Sequence, residues 1–166
     1  GVSQCSEDVW REKLNEELRI AAYYYNDVDL RISSANDDVR LQTQQIEKFV
    51  GDGIDLLIVA PGQVSISPAI DRAYEKGIPV IIFDRNIHGE SYTAYIGVDN
   101  FGIGESAALY ANHLVGKGGK VIEIYGRPGS TPAIERHNGF MKEATHYGLQ
   151  VLDTGYGNWN YEDASA

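Results

Sequence analysis

Apolar positions along this chain switch between a helical and an extended period. In 9–27 they fall at Trp10, Leu14, Leu18, Ala21 and Ala22, a spacing that predicts a helix. Ser6 stands before it as a candidate N-cap, with Glu7 and Asp8 favourable in the first turn. Tyr23, Tyr24 and Tyr25 lie on the end of that helix, which is expected to pack on the sheet. A short alternating stretch, 29–33, predicts a strand. A helix over 37–50, with Leu41, Ile46 and Val50 inward, stops at Gly51-Asp52-Gly53.

An apolar strand over 54–59 ends at Ala60-Pro61-Gly62, and a helix over 67–76 is closed by Gly77. Next comes Ile78-Pro79-Val80-Ile81-Ile82-Phe83, a continuous apolar run that reads as a strand buried on both faces of a parallel sheet. It stops at Asp84-Arg85. Beyond it the pattern predicts a strand over 95–98, a helix over 104–115, a strand over 120–125, a helix over 132–147 and a strand over 149–154. Gly155-Tyr156-Gly157-Asn158-Trp159 follows. Strands alternating with helices define an α/β chain with a parallel sheet, helices on both faces and right-handed crossovers. Ligands of such sheets bind outside the carboxyl ends of the strands, which puts Asp84 and Arg85 where a site belongs. A carboxylate beside a planar five-donor fork suits a neutral ligand rich in hydroxyls.

Composition narrows the choice. The chain has 166 residues, a formal net charge of −10 and a pI near 4.7, so a nucleic-acid partner is not expected. No apolar run approaches the ~20 residues of a membrane-spanning helix. The single cysteine, Cys5, excludes an internal disulfide and reads as a buried thiol. Gly1-Val2-Ser3 reads as the end of a strand and 160–166 as the opening of a helix, so a piece of a longer protein is expected, which intact mass would test.

Several chemistries lack their parts. His88, His113, His137 and His146 show no paired helical spacing, so no metal site is expected. No Gly-x-Ser-x-Gly elbow is present. Gly126-Arg127-Pro128-Gly129-Ser130-Thr131-Pro132 lacks the P-loop lysine and reads as a helix cap with Pro132 in the first turn. Gly102-Ile103-Gly104-Glu105-Ser106-Ala107 fits a dinucleotide fingerprint, with Glu123 at the spacing of a ribose-binding acid. Glu123 lies mid-strand, however, and the pattern arrives late in the chain, so the simpler reading is glycines that let helix and crossover approach closely. No cofactor is expected. Trp10 and Trp159 each follow a strand end. An indole there can cover the apolar face of a sugar ring, or for Trp10 serve as a core anchor.

In this order and spacing the elements resemble the type I periplasmic sugar-binding proteins, the ribose-binding-protein-like group. The resemblance is carried by Val2-Ser3, Phe83-Asp84-Arg85, Ile96-Gly97-Val98-Asp99-Asn100, Val121-Ile122-Glu123-Ile124-Tyr125-Gly126, and Gly129-Ser130-Thr131 through Arg136-His137-Asn138-Gly139-Phe140. More narrowly, the opening 1–11 looks like that of periplasmic sensor domains of hybrid two-component systems from gut Bacteroidetes, which precede a membrane span and a histidine kinase. The resemblance implies a periplasmic-binding-protein fold with a first lobe over 1–101 and an incomplete second lobe over 102–166. It also implies a non-enzymatic, periplasmic domain of a membrane-anchored parent that closes on a monosaccharide or small oligosaccharide and signals to a kinase. The alternatives are a soluble binding protein of an importer or the ligand-binding core of a LacI-type repressor.

Carried over residue by residue, the implied ligand-binding positions are Ser3, Trp10, Asp84, Arg85, Asp99 and Trp159. Ala60 stands where ribose-type binders carry a polar side chain, and Ile134 where they carry a ligand-binding arginine, so the ligand or its grip is expected to differ from the ribose pattern. For the short second lobe three arrangements stay open: packing on the first lobe, exchange with a second copy in a homodimer, or flexibility.

Overall fold

A computed structural model describes all residues, 1–166, and the chain divides into two compact units, Gly1–Gly97 and Val98–Ala166. The first unit holds five parallel strands, β1 (Val2–Gln4), β2 (Ile32–Ser34), β3 (Leu57–Ala60), β4 (Val80–Phe83) and β5 (Ala94–Ile96), in the spatial order β2-β1-β3-β4-β5. The chain leaves β1 toward β2 and then crosses to β3 on the other side, so the switch of direction falls between β1 and β3. Ligand crevices of open α/β sheets lie at such points.

Three helices connect these strands: α1 (Val9–Tyr23), α2 (Val39–Gly51) and α3 (Ser67–Glu75). The core lies where α2 and α3 cover the sheet, with Ile46, Phe49, Leu57, Val59, Ile66, Ile70, Val80 and Ile82 buried together. Burying each of the larger aliphatic side chains is worth about 1.5–3 kcal/mol. The inward face of α2 differs from the hydropathy pattern. Leu41 is partly exposed, whereas its neighbour Gln42 is buried. Gln42 bridges the end of β3, donating from Nε2 to the Ala60 carbonyl at 2.9 Å and accepting the Gly62 amide on Oε1 at 2.9 Å. A buried amide whose hydrogen bonds are made is tolerated where a leucine would leave two backbone groups unpaired.

The cap of α1 is Asp8, which accepts the Arg11 amide, while Ser6 bonds to the Asp8 carboxylate instead. The tyrosines closing α1 are exposed, and the one buried residue of that helix is Arg11. Asp38 caps α2 by accepting the Arg40 and Leu41 amides. The Leu41 amide first, then that of Arg40, holds the Asp38 carboxyl below its ordinary value. A depressed carboxyl stabilises the fold above its unfolded pKa and loses that contribution as pH falls through the folded value. Asp38→Ala is therefore expected to lower the melting temperature at neutral pH. The gap from the native protein should close as pH drops below ~4, read by scanning calorimetry across pH.

The second unit contains α4 (Asn100–Val115), β6 (Lys120–Tyr125), α5 (Thr131–Tyr147), β7 (Gln150–Tyr156) and a short α6 (Tyr161–Ser165), with β6 and β7 parallel. Helices α4 and α5 cross closely at Gly104 and Gly139. A Cβ on Gly104 would meet the Arg136 carbonyl oxygen, and one on Gly139 the Phe101 carbonyl oxygen. The Gly-x-Gly pattern thus lies inside α4 rather than in a strand-to-helix turn, and serves helix packing. No helix is long and apolar enough to cross a membrane.

Candidate functional site

The first unit gathers its unusual polar groups at the carboxyl ends of β1, β3 and β4. Asp84 follows β4 with φ of 67°, a left-handed conformation that carboxamide and carboxylate side chains tolerate best among non-glycine residues. Two contacts hold it. Its amide donates to the Ile96 carbonyl at 2.8 Å, extending the ladder with β5, and the Tyr95 hydroxyl donates to its carbonyl at 3.1 Å. Gly97 leaves room for that hydroxyl, since a Cβ there would overlap the Tyr95 hydroxyl oxygen. Residues kept in such conformations against local preference cluster at functional sites.

Two guanidinium groups flank the Asp84 carboxylate. Arg11, only 2% exposed, donates from Nη2 to Oδ2 at 2.6 Å. Arg85 lies with Nε 3.8 Å from the same oxygen, and its Nη1 donates to the Gly62 carbonyl at 3.1 Å, tying the end of β4 to the loop after β3. The Asp84 side chain keeps 32% of its surface exposed, so a carboxylate with acceptor capacity remains at the rim. Trp10 adds an apolar plate: it stacks near Phe83 at 5.7 Å between ring centres, its centre lies 4.6 Å from the Arg11 guanidinium carbon, and about half of it stays exposed. Ser3, in register with Val59 of β3, is fully buried with its hydroxyl unpaired. Ala60 is buried and contributes its carbonyl to Gln42 rather than a side chain to a ligand. A separate hollow of about 340 Å³, around Gly1, Asp29 and Arg31, lies at the opposite ends of the strands.

The second unit has its own polar and aromatic cluster. Asn158 and Trp159 both carry positive φ, 47° and 66°, in the turn that precedes α6. Asp163 fixes this turn by accepting from Asn158 and Asn160. The Trp159 ring packs against Gly126 at the end of β6, where any Cβ would strike the indole. The Arg136 guanidinium lies 5.7 Å from the indole centre, and its Nε donates to Asn100 Oδ1 at 2.9 Å. Gly126, Arg136 and Trp159 line a hollow of about 320 Å³ together with Glu123, Tyr125 and His137. His137 Nδ1 is 2.9 Å and 3.0 Å from the two Glu123 oxygens. Burial, and then the Glu123 carboxylate, push the Tyr125 phenol above its ordinary value.

Of the positions expected from sequence, Trp10, Asp84 and Arg85 come together in the first unit, and Trp159 lies in the hollow of the second. Asp99 accepts the Gly102 amide at 2.9 Å as the cap of α4, a structural task that needs no ligand. Arg11 and Arg136 are the residues that sequence reading passed over. Ile134 is partly exposed on α5, and the guanidinium beside Trp159 belongs to Arg136. The signal for Arg11 was present: a cation in the first turn of a helix, where the dipole disfavours positive charge. No group of His, Cys, Asp and Glu side chains is arranged to hold a metal ion.

Residues 2–166 match the family described as the periplasmic binding protein domain. Among solved structures, the fructose-binding periplasmic domain of a hybrid two-component system superposes with a TM-score of 0.90 at 42% identity, covering 96% of this chain and 54% of that one. The Caulobacter myo-inositol binding protein gives a TM-score of 0.86 at 25% identity, over 95% of this chain and 54% of its own. The ribose import binding protein of Bacillus subtilis (strain 168) is 36% identical over 122 residues, which is 73% of this chain and 40% of that protein. The chain therefore spans about half, or less, of the length of these relatives. Its fold is the parallel sheet with flanking helices of the periplasmic binding proteins.

Proposed function

Because the chain belongs to the periplasmic binding protein domain family, we propose that it forms the sugar-recognising part of a sensory domain, with a neutral monosaccharide such as a ketohexose as ligand. The observation that carries this is the Asp84 carboxylate held between Arg11 and Arg85 beside the exposed face of Trp10. A sugar hydroxyl is donor and acceptor at once, so it suits a carboxylate–guanidinium edge, while its C–H face suits an indole. No residue here is asked to break a bond. Ligand would act by shifting a conformational equilibrium, by no more than its differential affinity for the two states.

The 42% identity to a fructose-binding domain of a hybrid two-component system supports both fructose as first probe and the signalling role. Calorimetric titration with D-fructose, D-ribose and myo-inositol tests the ligand class, and binding of none of them would sink it. Signalling is tested in membranes holding the whole protein, where fructose should change the rate of kinase autophosphorylation. The second reading, delivery to an importer, is favoured by the 36% identity to a ribose import binding protein. It predicts instead that sugar-loaded protein stimulates a permease ATPase.

Arg85→Ala is expected to lose binding and also stability. It removes a buried donor to Gly62 as well as a charge beside Asp84, and hydrogen bonds of charged groups are worth about 1.5–3 kcal/mol each. Titration and thermal melting read the two losses separately. A variant that melts early yet binds normally would confine Arg85 to a structural role.

A further inference from the structure

Gln42 does more than close the end of β3. It is 1% exposed, on a helix face that otherwise buries Ile46 and Phe49, and its amide pairs with two backbone groups as a neighbouring strand would. The bonding continues beyond it. Gly62, whose amide donates to Gln42 Oε1, presents its carbonyl to Arg85 Nη1 at 3.1 Å. One residue of the loop after β3 is therefore gripped on both sides, by a neutral amide from α2 and by the guanidinium that follows β4. The seat is tight. A Cβ on Gly62 would lie 3.2 Å from Gln42 Oε1 and 3.3 Å from Cys5 Cβ, so the loop has little room to slide.

The consequence falls on Arg85. Its Nε lies 3.8 Å from Asp84 Oδ2, beyond hydrogen-bond reach, so the bond that aims this planar group is the one to Gly62. A guanidinium presents a different edge as it turns, and displacing the carbonyl it grips would turn it relative to Asp84. We propose that Gln42 is a positioning residue of the sugar site: it fixes Gly62, and through the Gly62 carbonyl it sets the orientation of Arg85, without touching ligand. The inference rests on the sugar-binding reading above and deepens it. Two substitutions at 42 separate bonding from packing. Methionine fills a similar volume and pairs with neither backbone group. A protonated glutamic acid reproduces both bonds, its hydroxyl donating to Ala60 and its carbonyl oxygen accepting from Gly62. Burial pushes such a carboxyl up toward neutrality, so at about pH 5 it keeps its proton.

Calorimetric titrations at about pH 5, with the tightest binder among D-fructose, D-ribose and myo-inositol, compare the native protein with Gln42→Met and Gln42→Glu. Gln42→Met is expected to bind about 10-fold more weakly, and Gln42→Glu to come within about 3-fold of native affinity. Thermal melting isolates the alternative in which Gln42 supports the fold alone. Gln42→Met would then melt early yet bind as the native protein does, which overturns the proposal. Equal losses of affinity in both variants overturn it as well, because they trace to packing and not to the two bonds. If Gln42→Met does not fold, nitrogen-resolved NMR of the native protein decides: the Gln42 Nε2 protons should shift on adding sugar, and unchanged signals reject the path through Gly62. Binding of no sugar by the native protein fails the sugar-binding reading and this inference together, whereas sugar binding that Gln42→Met leaves intact fails this inference alone.

Discussion

Asp84→Ala is expected to abolish the proposed sugar binding and lower stability together, the largest single effect expected in the first unit. The carboxylate is the acceptor that the ligand hydroxyls would use, and it is also the counter-charge of Arg11 and the neighbour of Arg85. Removing one partner of a buried ion pair leaves an uncompensated charge and costs about 3–5 kcal/mol. The exposed third of the Asp84 side chain brings the expectation to the lower end of that range. Alanine is also poorly suited to a φ of 67°. Asp84→Asn separates the causes: the amide tolerates the left-handed backbone and retains an acceptor, but the charge is gone. Its melting temperature should lie between those of the native protein and the alanine variant, with affinity still down about 100-fold or more, given two charged contacts at about 1.5–3 kcal/mol each. Native affinity for sugar in Asp84→Asn, measured by titration, would remove this carboxylate from the site.

The second large effect concerns folding of the other unit. Gly139→Ala places a methyl group against the Phe101 carbonyl oxygen, and Gly104→Ala one against that of Arg136. Both contacts are with backbone, which no rotamer change relieves, so α4 and α5 must separate. Overpacking costs typically 1–3 kcal/mol and more where backbone resists, against a helix-propensity gain of about 1 kcal/mol for alanine over glycine. The net expectation is a loss of about 2 kcal/mol at each site, or roughly 10 °C in the melting temperature of a unit this size. Calorimetry of the single variants and faster amide exchange along α4 and α5 would show it. A melting temperature raised by either substitution would mean the helices do not meet there.

Hydropathy carried the order of elements because a buried parallel strand needs a continuous apolar run and its covering helices need a stripe. Ile81 and Ile82 in β4, and Ile46 in α2, obey that rule. It failed where a polar side chain is buried for a specific partner. Period alone favours Leu41 over Gln42, yet Gln42 meets two backbone groups at the end of β3, contacts that exist only once the chain has folded. Arg11 escaped for the same reason, its partner Asp84 being remote in sequence. In α5 the guanidinium near Trp159 is that of Arg136, and this approach depends on the turn before α6 rather than on the sequence around the helix.

The tether at Asp84 sets how this scaffold can diversify. Its amide and carbonyl are held by β5, so the carboxylate is placed by the sheet itself and not by a loop free to rearrange. Ordering entropy at that position is lost when the chain folds, before any ligand arrives. Exchanges at 84 then disturb folding and binding together, whereas an exchange at the half-exposed Trp10 removes no hydrogen bond of the sheet. Lineages that acquire new ligands on this frame would accumulate their changes at the plates, and keep the acid and its buried partner Arg11 fixed.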